Sequence, residues 1–279
     1  MNAVILGYGV VGKGIEILTN SLDDISIKYV YVRKEKENLP YFSNNEDMVV
    51  QDDIDIVFEC LNGLEPANTL IQKALKKGKH VISSNKAVVA TYLDTYLELE
   101  KEFGGSIQVE ACVAGGIPFI DALLKLKRLE PLQGYEGIFN GTSNYILDSM
   151  QKNNLDFEDV LKEAQNKGYA EKDPSNDIDG VDVYYKTKIS NSLAFNTPIV
   201  DIPYYAGIRT IKMLDIKFIK MNNKVIRHLS ISRQIDDKII SIIAPCCMDE
   251  NDFLANVPSN YNAQKILSHS FDTLGYYGQ

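Results

Sequence analysis

Val4-Ile5-Leu6-Gly7-Tyr8-Gly9-Val10-Val11-Gly12 opens the chain: a short apolar strand runs straight into a G-x-G-x-x-G turn, and a helical pattern follows from Val10 to Leu18. The glycine string alone is a weak signal, because a chance Gly-rich turn can match it. A strand before it and a helix after it are the context that a dinucleotide-binding turn requires. In that geometry Gly7 permits the tight turn, Gly9 lets backbone N–H groups approach a pyrophosphate, and Gly12 lets the helix pack on the strand. The phosphates then meet unpaired donors and the positive end of the helix dipole. Tyr8, Val10 and Val11 complete the predicted cofactor-binding loop.

Working outward, further β-branched runs read as strands at Lys28 to Val32, Ile54 to Glu59, His80 to Ser83 and Ser106 to Glu110. Helical periodicity separates them at Pro66 to Lys77, which stops at Gly78, and at Thr91 to Phe103, which stops at Gly104-Gly105. This alternation predicts a doubly wound, Rossmann-type parallel sheet of α/β class over residues 1–118. Past Pro118 the pattern changes to a helix at Phe119 to Arg128, a strand at Gly134 to Phe139 and a helix beginning in Tyr145 to Met150. Two polar loops, Asn166 to Gly180 and Asp249 to Asn262, bracket a helical stretch and the apolar strand Ile239 to Ala244. A second, α+β domain is therefore expected over 119–279.

The end of the second strand refines the ligand. NAD enzymes usually carry an acidic residue there for the ribose 2′-hydroxyl. This chain has Val32-Arg33-Lys34, and a cationic pair suits a 2′-phosphate, so NADP is expected, with NAD as the alternative. A solvated basic strand end is the plainer explanation of the same residues.

At 279 residues with 45% hydrophobic content the chain can fill an ordinary core, and its net charge of −9 advertises neither nucleic-acid nor anionic-membrane binding. No apolar run approaches the roughly 20 residues of a membrane span, and no basic leader precedes the first strand, so a cytoplasmic protein is expected. Cys60, Cys112, Cys246 and Cys247 are too few and irregular for a disulfide framework or a zinc site. His80, His228 and His269 show no metal-ligand spacing.

Several motifs remain. Ser84-Asn85-Lys86 follows the fourth strand; Glu110-Ala111-Cys112-Val113-Ala114-Gly115-Gly116-Ile117-Pro118 follows the fifth; then comes Asn140-Gly141-Thr142-Ser143-Asn144-Tyr145. Gly168-Tyr169-Ala170-Glu171, Asp173-Pro174, Asp177, Gly180, Asp182 and Lys186 complete the series. Asp182 and Lys186 lie four apart on a predicted helix and share one face. By itself this is a surface ion pair. The acidic loop before it exceeds any solubilising need.

As a set and in this order, the motifs resemble the homoserine dehydrogenase family across almost the whole chain. The resemblance implies interconversion of L-aspartate 4-semialdehyde and L-homoserine in amino-acid biosynthesis, by a homodimer whose second domain binds substrate and dimerises. It implies that Glu171 and Asp182, with Gly168 and Tyr169, bind the substrate's polar groups and that Lys186 supplies the proton. Lys86 then acts electrostatically beside nicotinamide and substrate, with Ser84 and Asn85 in the cofactor site. A sodium or other monovalent cation is implied at Glu110 and the carbonyls of Val113, Gly115 and Ile117, hard oxygens that suit such an ion. A carboxylate satisfied by backbone N–H groups is the competing account of Glu110. Cys112 is read as a packing residue.

The match departs from the family toward its end. Leu254-Ala255-Asn256-Val257 and Asn262-Ala263 still resemble it, but Ile216 to Ile231 looks shortened and basic, and the chain stops at Gly275-Tyr276-Tyr277-Gly278-Gln279. Family members continue with a Gly-Ala-Gly turn and a helix that packs back on the nucleotide domain. Without it the cofactor site is expected to lack one wall. Two other functions stay open at this point: a dehydrogenase for another small acid, and a catalytically impaired nucleotide-binding homologue with a sensing role.

Overall fold

The computed structural model describes residues 1–32 and 41–278. The chain divides into two compact units, Met1–Cys112 and Val113–Gln279. In the first, β1 (Asn2–Leu6), β2 (Ser26–Tyr31), β3 (Phe42–Ser43), β4 (Ile56–Glu59), β5 (His80–Ser83) and β6 (Ser106–Gln108) alternate with α1 (Val10–Thr19), α2 (Ala67–Leu75) and α3 (Lys86–Phe103). The strands form one sheet in the order β3-β2-β1-β4-β5-β6. Every pair is parallel. Sheets of this kind bury both faces, which explains why Val4, Ile5, Leu6, Val57 and Val81 are all fully buried.

Several expected boundaries move. The third helix begins at Lys86, five residues before the periodicity at Thr91, because the Asn85 side chain accepts a hydrogen bond from Val88 N–H (3.3 Å) and caps it there. The last strand ends at Gln108, and Glu110 opens a 3₁₀ turn through Cys112. The two-residue β3 is too short to leave any periodicity.

The second unit has a five-stranded antiparallel sheet, ordered β11-β10-β7-β8-β9. Its strands are β7 (Gly134–Ile138), β8 (Lys224–Ile235), β9 (Lys238–Asp249), β10 (Asn262–Leu267) and β11 (Thr273–Gly278). Its helices are α4 (Phe119–Leu126), α5 (Gly141–Asn153), α6 (Phe157–Asn166), α7 (Ser175–Ile178), α8 (Val181–Phe195) and α9 (Met213–Met221). Tyr135 on β7 anchors α8 to the sheet: it is fully buried, and its hydroxyl donates to Asn191 Oδ1 (2.7 Å) and Thr187 O (3.1 Å). Phe119 and Phe139 pack edge-on against it, each contributing on the order of 2 kcal/mol by burial. The 12-residue strand β9 replaces the short apolar strand expected at Ile239 to Ala244, since its whole length pairs with β8. The acidic loop expected at Asn166 to Gly180 contains the single turn α7.

Among the described residues no helix is long and apolar enough to cross a membrane.

Candidate active site

In the first unit the register aligns Leu6 with Glu59 and Glu59 with Ser83, so the turns that follow β1, β4 and β5 leave one edge of the sheet. That carboxyl edge is where doubly wound sheets hold ligands. Gly7 has a left-handed φ of 94°, and a Cβ on Gly12 would stand 2.1 Å from Gly7 O. Helix and turn therefore touch backbone to backbone, which only glycine allows. Around Gly9, by contrast, no atom of the described residues stands within 4 Å of where a Cβ would be. Among the described residues no side chain caps α1 and no acidic residue lies in its first turn, while Val10 and Val11 are exposed beside it. That opening and a first turn without acidic residues fit a dinucleotide pyrophosphate.

Tyr8 points back along α1: its hydroxyl donates to the Glu16 carboxylate, which also accepts from Tyr41 (3.0 Å). The bond to Glu16 pushes the Tyr8 phenol up to about 12. Arg33 and Lys34 lie outside the described residues. Ser84 N–H donates to Glu59 O (3.0 Å), Asn85 caps α3, and Lys86 is that helix's first residue. Cys60 is half-buried, and burial pushes its thiol up to about 11, away from nucleophilic service. Cys112 is buried, with its thiol donating to Ser83 O at 3.1 Å.

In the second unit Lys186 and Asp182 stand on one face of α8, with Nζ 2.7 Å from Asp182 Oδ2 and side chains only 14% and 4% exposed. This is a sheltered pair rather than a solvated one. Lys186 Nζ also donates to Phe139 O (2.6 Å). Asn140 completes the cluster: its Nδ2 donates to Asp182 Oδ2 (2.9 Å) and to Asp177 Oδ1 (2.7 Å), while its Oδ1 accepts Ser143 N–H (2.7 Å) and caps α5. The sequence motif contains Asn140 but does not by itself reveal this bridge; the N-cap pattern before α5 is the available signal.

The other acidic-loop residues make contacts of their own. Tyr169 is exposed; its carbonyl accepts from Thr142 Oγ1 (2.6 Å), and its ring packs edge-on against Tyr145. Gly168 is left-handed, and Glu171 is exposed. Asp179 faces Arg209, whose guanidinium holds the carboxyl below the usual carboxylate range. His228, unassigned from sequence, is buried on β8 with Nε2 2.8 Å from Ala206 O. A carbonyl only accepts, so Nε2 carries the proton.

Glu110 belongs to the first unit. Val113, Gly115 and Ile117 belong to the second, where Val113 and Ile117 are buried and Ala114 and Gly115 are both left-handed. Among the described residues no three His, Cys, Asp or Glu side chains cluster as a metal site.

Comparison with known proteins matches residues 7–110 to the family described as homoserine dehydrogenase, NAD binding domain, and residues 118–279 to that described as homoserine dehydrogenase. The homoserine dehydrogenase of Neisseria gonorrhoeae is 33% identical over 294 residues, spanning 100% of this chain and 68% of that protein. The Synechocystis sp. homoserine dehydrogenase is 35% identical over 295 residues, spanning 99% and 68%. The crystal structure of a homoserine dehydrogenase from Thiobacillus denitrificans superposes with a TM-score of 0.93 at 34% identity, covering 100% of this chain and 68% of that one. With similarity running through both units and along the whole chain, this protein belongs to the homoserine dehydrogenase family.

Proposed function

We propose that this chain interconverts L-aspartate 4-semialdehyde and L-homoserine with a nicotinamide dinucleotide. The observation that carries the reading is the sheltered Asp182–Lys186–Phe139 O cluster in a chain similar over its full length to homoserine dehydrogenases. The bound cofactor supplies the hydride to the aldehyde carbon. The chain's own residues bind, orient and hold the proton.

Two of the three Lys186 ammonium protons are directed at Asp182 and Phe139 O. The third is the one presented to the substrate oxygen, and it is donated as the alkoxide forms. Asp182 and Asp177, held in register by Asn140, offer acceptors to the substrate ammonium, with Glu171, Gly168 and Tyr169 completing the substrate loop. Lys86, at the head of α3, favours the developing negative charge. The Gly7 to Gly12 loop with Ser84 and Asn85 holds the nucleotide.

NADP is the proposed cofactor, on the strength of Arg33 and Lys34. A monovalent cation is proposed at Glu110 and the carbonyls of Val113, Gly115 and Ile117, an all-oxygen donor set. A homodimer is proposed as well: Ile240 and Ile242, alternate residues of β9 and so on one sheet face, are exposed. Four cysteines outside any disulfide agree with a cytoplasmic location.

The test is NADPH absorbance followed with aspartate semialdehyde, then NADP⁺ reduction with L-homoserine. Turnover in both directions is expected; none with either NADPH or NADH would overturn the reading. Arg33→Ala and Lys34→Ala should each weaken NADPH binding more than NADH binding in a fluorescence titration, and equal losses would remove the case for NADP.

A further inference from the structure

We propose that Glu59 is a positioning residue that locks the two turns at the ligand edge of the nucleotide unit, Cys60–Gly63 and Ser83–Lys86, into one rigid cradle. This rests on the nucleotide-binding reading above.

Glu59 is the last residue of β4 and is fully buried. A carboxylate there is costly unless every lone pair finds a donor. Oε1 accepts Leu61 N–H (2.8 Å) from the first turn and a longer bond from Asn85 Nδ2 (3.5 Å). Oε2 accepts the Ser83 hydroxyl (2.6 Å). The same hydroxyl oxygen accepts Asn85 N–H (3.1 Å), and Asn85 Nδ2 crosses to Gly63 O (2.8 Å), closing a ring of bonds between the turns.

The ring reaches further than its members. Asn85 Oδ1 caps α3, so the network fixes the residue before Lys86. A Cβ on Gly7 would stand 2.8 Å from Cys60 O, so the first of these turns also abuts the phosphate loop. An ionised carboxylate has about four acceptor positions and no proton to misdirect. An amide would either set its N–H against Leu61 N–H or make the Ser83 hydroxyl turn and give up its donation, and an apolar side chain would orphan both Leu61 N–H and the Ser83 hydroxyl. Burial raises the Glu59 carboxyl above its usual range, against the lowering effect of the bonds from Ser83, Leu61 and Asn85.

The experiment is a fluorescence titration with NADPH on the full chain carrying Glu59→Gln, Ser83→Ala or both. Each titration is run well below the variant's melting midpoint, itself measured by circular dichroism. Each single substitution is expected to raise the NADPH Kd about tenfold, the loss of one charge-assisted hydrogen bond. Because both act through one ring, the double variant should bind no more weakly than the worse single one. A purely structural role would lower the melting midpoint and leave the Kd of the folded protein unmoved; that result, or losses that multiply in the double variant, would overturn the inference. If Glu59→Gln does not fold, Ser83→Ala decides alone, and an unchanged Kd refutes the lock. Failure of the unsubstituted chain to bind NADPH or NADH would strike the nucleotide reading itself.

Discussion

Arg227 Nη2 lies 3.1 Å from Asp148 Oδ1, with both side chains almost wholly buried. Asp148 also accepts Ser259 N–H (2.9 Å), and Arg227 donates to Ala255 O (2.6 Å), so the pair fastens the segment after β9 to β8 and α5. Removing one partner strands a buried charge. Asp148→Ala should therefore cost about 3–5 kcal/mol in urea denaturation, whereas Asp148→Leu with Arg227→Met should cost less. A single-variant loss below about 1 kcal/mol would show that the pair behaves as a surface one.

Lys186→Ala should lower kcat by about 10²–10⁴-fold, the usual worth of a positioned proton donor. The nucleotide loop belongs to the other unit, so NADPH affinity should hold within a factor of about two. Stopped-flow turnover and equilibrium titration on the same preparation separate the two effects, and matched losses would deny Lys186 its proton-donor role.

Gly12→Ala forces a Cβ toward Gly7 O, a backbone atom that cannot swing aside. The phosphate loop must move, so NADPH Kd should rise at least tenfold with a stability loss of about 1–3 kcal/mol. Gly9→Ala meets no atom of the described residues within 4 Å and should leave stability nearly unchanged. A Gly12→Ala variant that binds normally would remove the close approach from the account.

His228 carries the pH dependence. Burial lowers it to about 4 from an ordinary 6.5, so the folded chain keeps it neutral where the unfolded chain would protonate it. Its contribution to stability is whole above pH 6.5 and is lost as pH falls toward 4, approaching about 3 kcal/mol. Urea midpoints at pH 7 and pH 4.5 should show wild type losing more stability than His228→Leu between the two. A constant gap between the curves would contradict the assignment.

The nucleotide unit was legible because glycine turns and apolar runs are local signals. Strand β8 was hidden because its polar residues face inward: Ser230 and Ser232 are fully buried, bonded to Thr187 (2.8 Å) and Ser241 (2.8 Å). A period-2 apolar pattern cannot appear where the covered face is hydroxylated. Strand β11 offered only Thr273 to Gly278, with two tyrosines and two glycines. In the site, the spacing of Asp182 and Lys186 was readable as one helix face. The Asn140 bridge to Asp182 spans 42 residues and depends on how α5 and α8 pack, which no local pattern encodes.

The Asn140 amide has a chemical lifetime as well as a geometry. It precedes Gly141, and an Asn-Gly bond in a mobile chain ages by attack of the glycine nitrogen on the side-chain carbonyl. Here that carbonyl is tied to Ser143 N–H and the amide nitrogen to two aspartates, in a nearly buried position. Ageing would set a third carboxylate against Asp177 and Asp182, where two donors now stand. The fold thus guards its own reagent: prolonged incubation of the folded protein should leave this bond intact by peptide mass spectrometry, while the urea-unfolded chain deamidates at it.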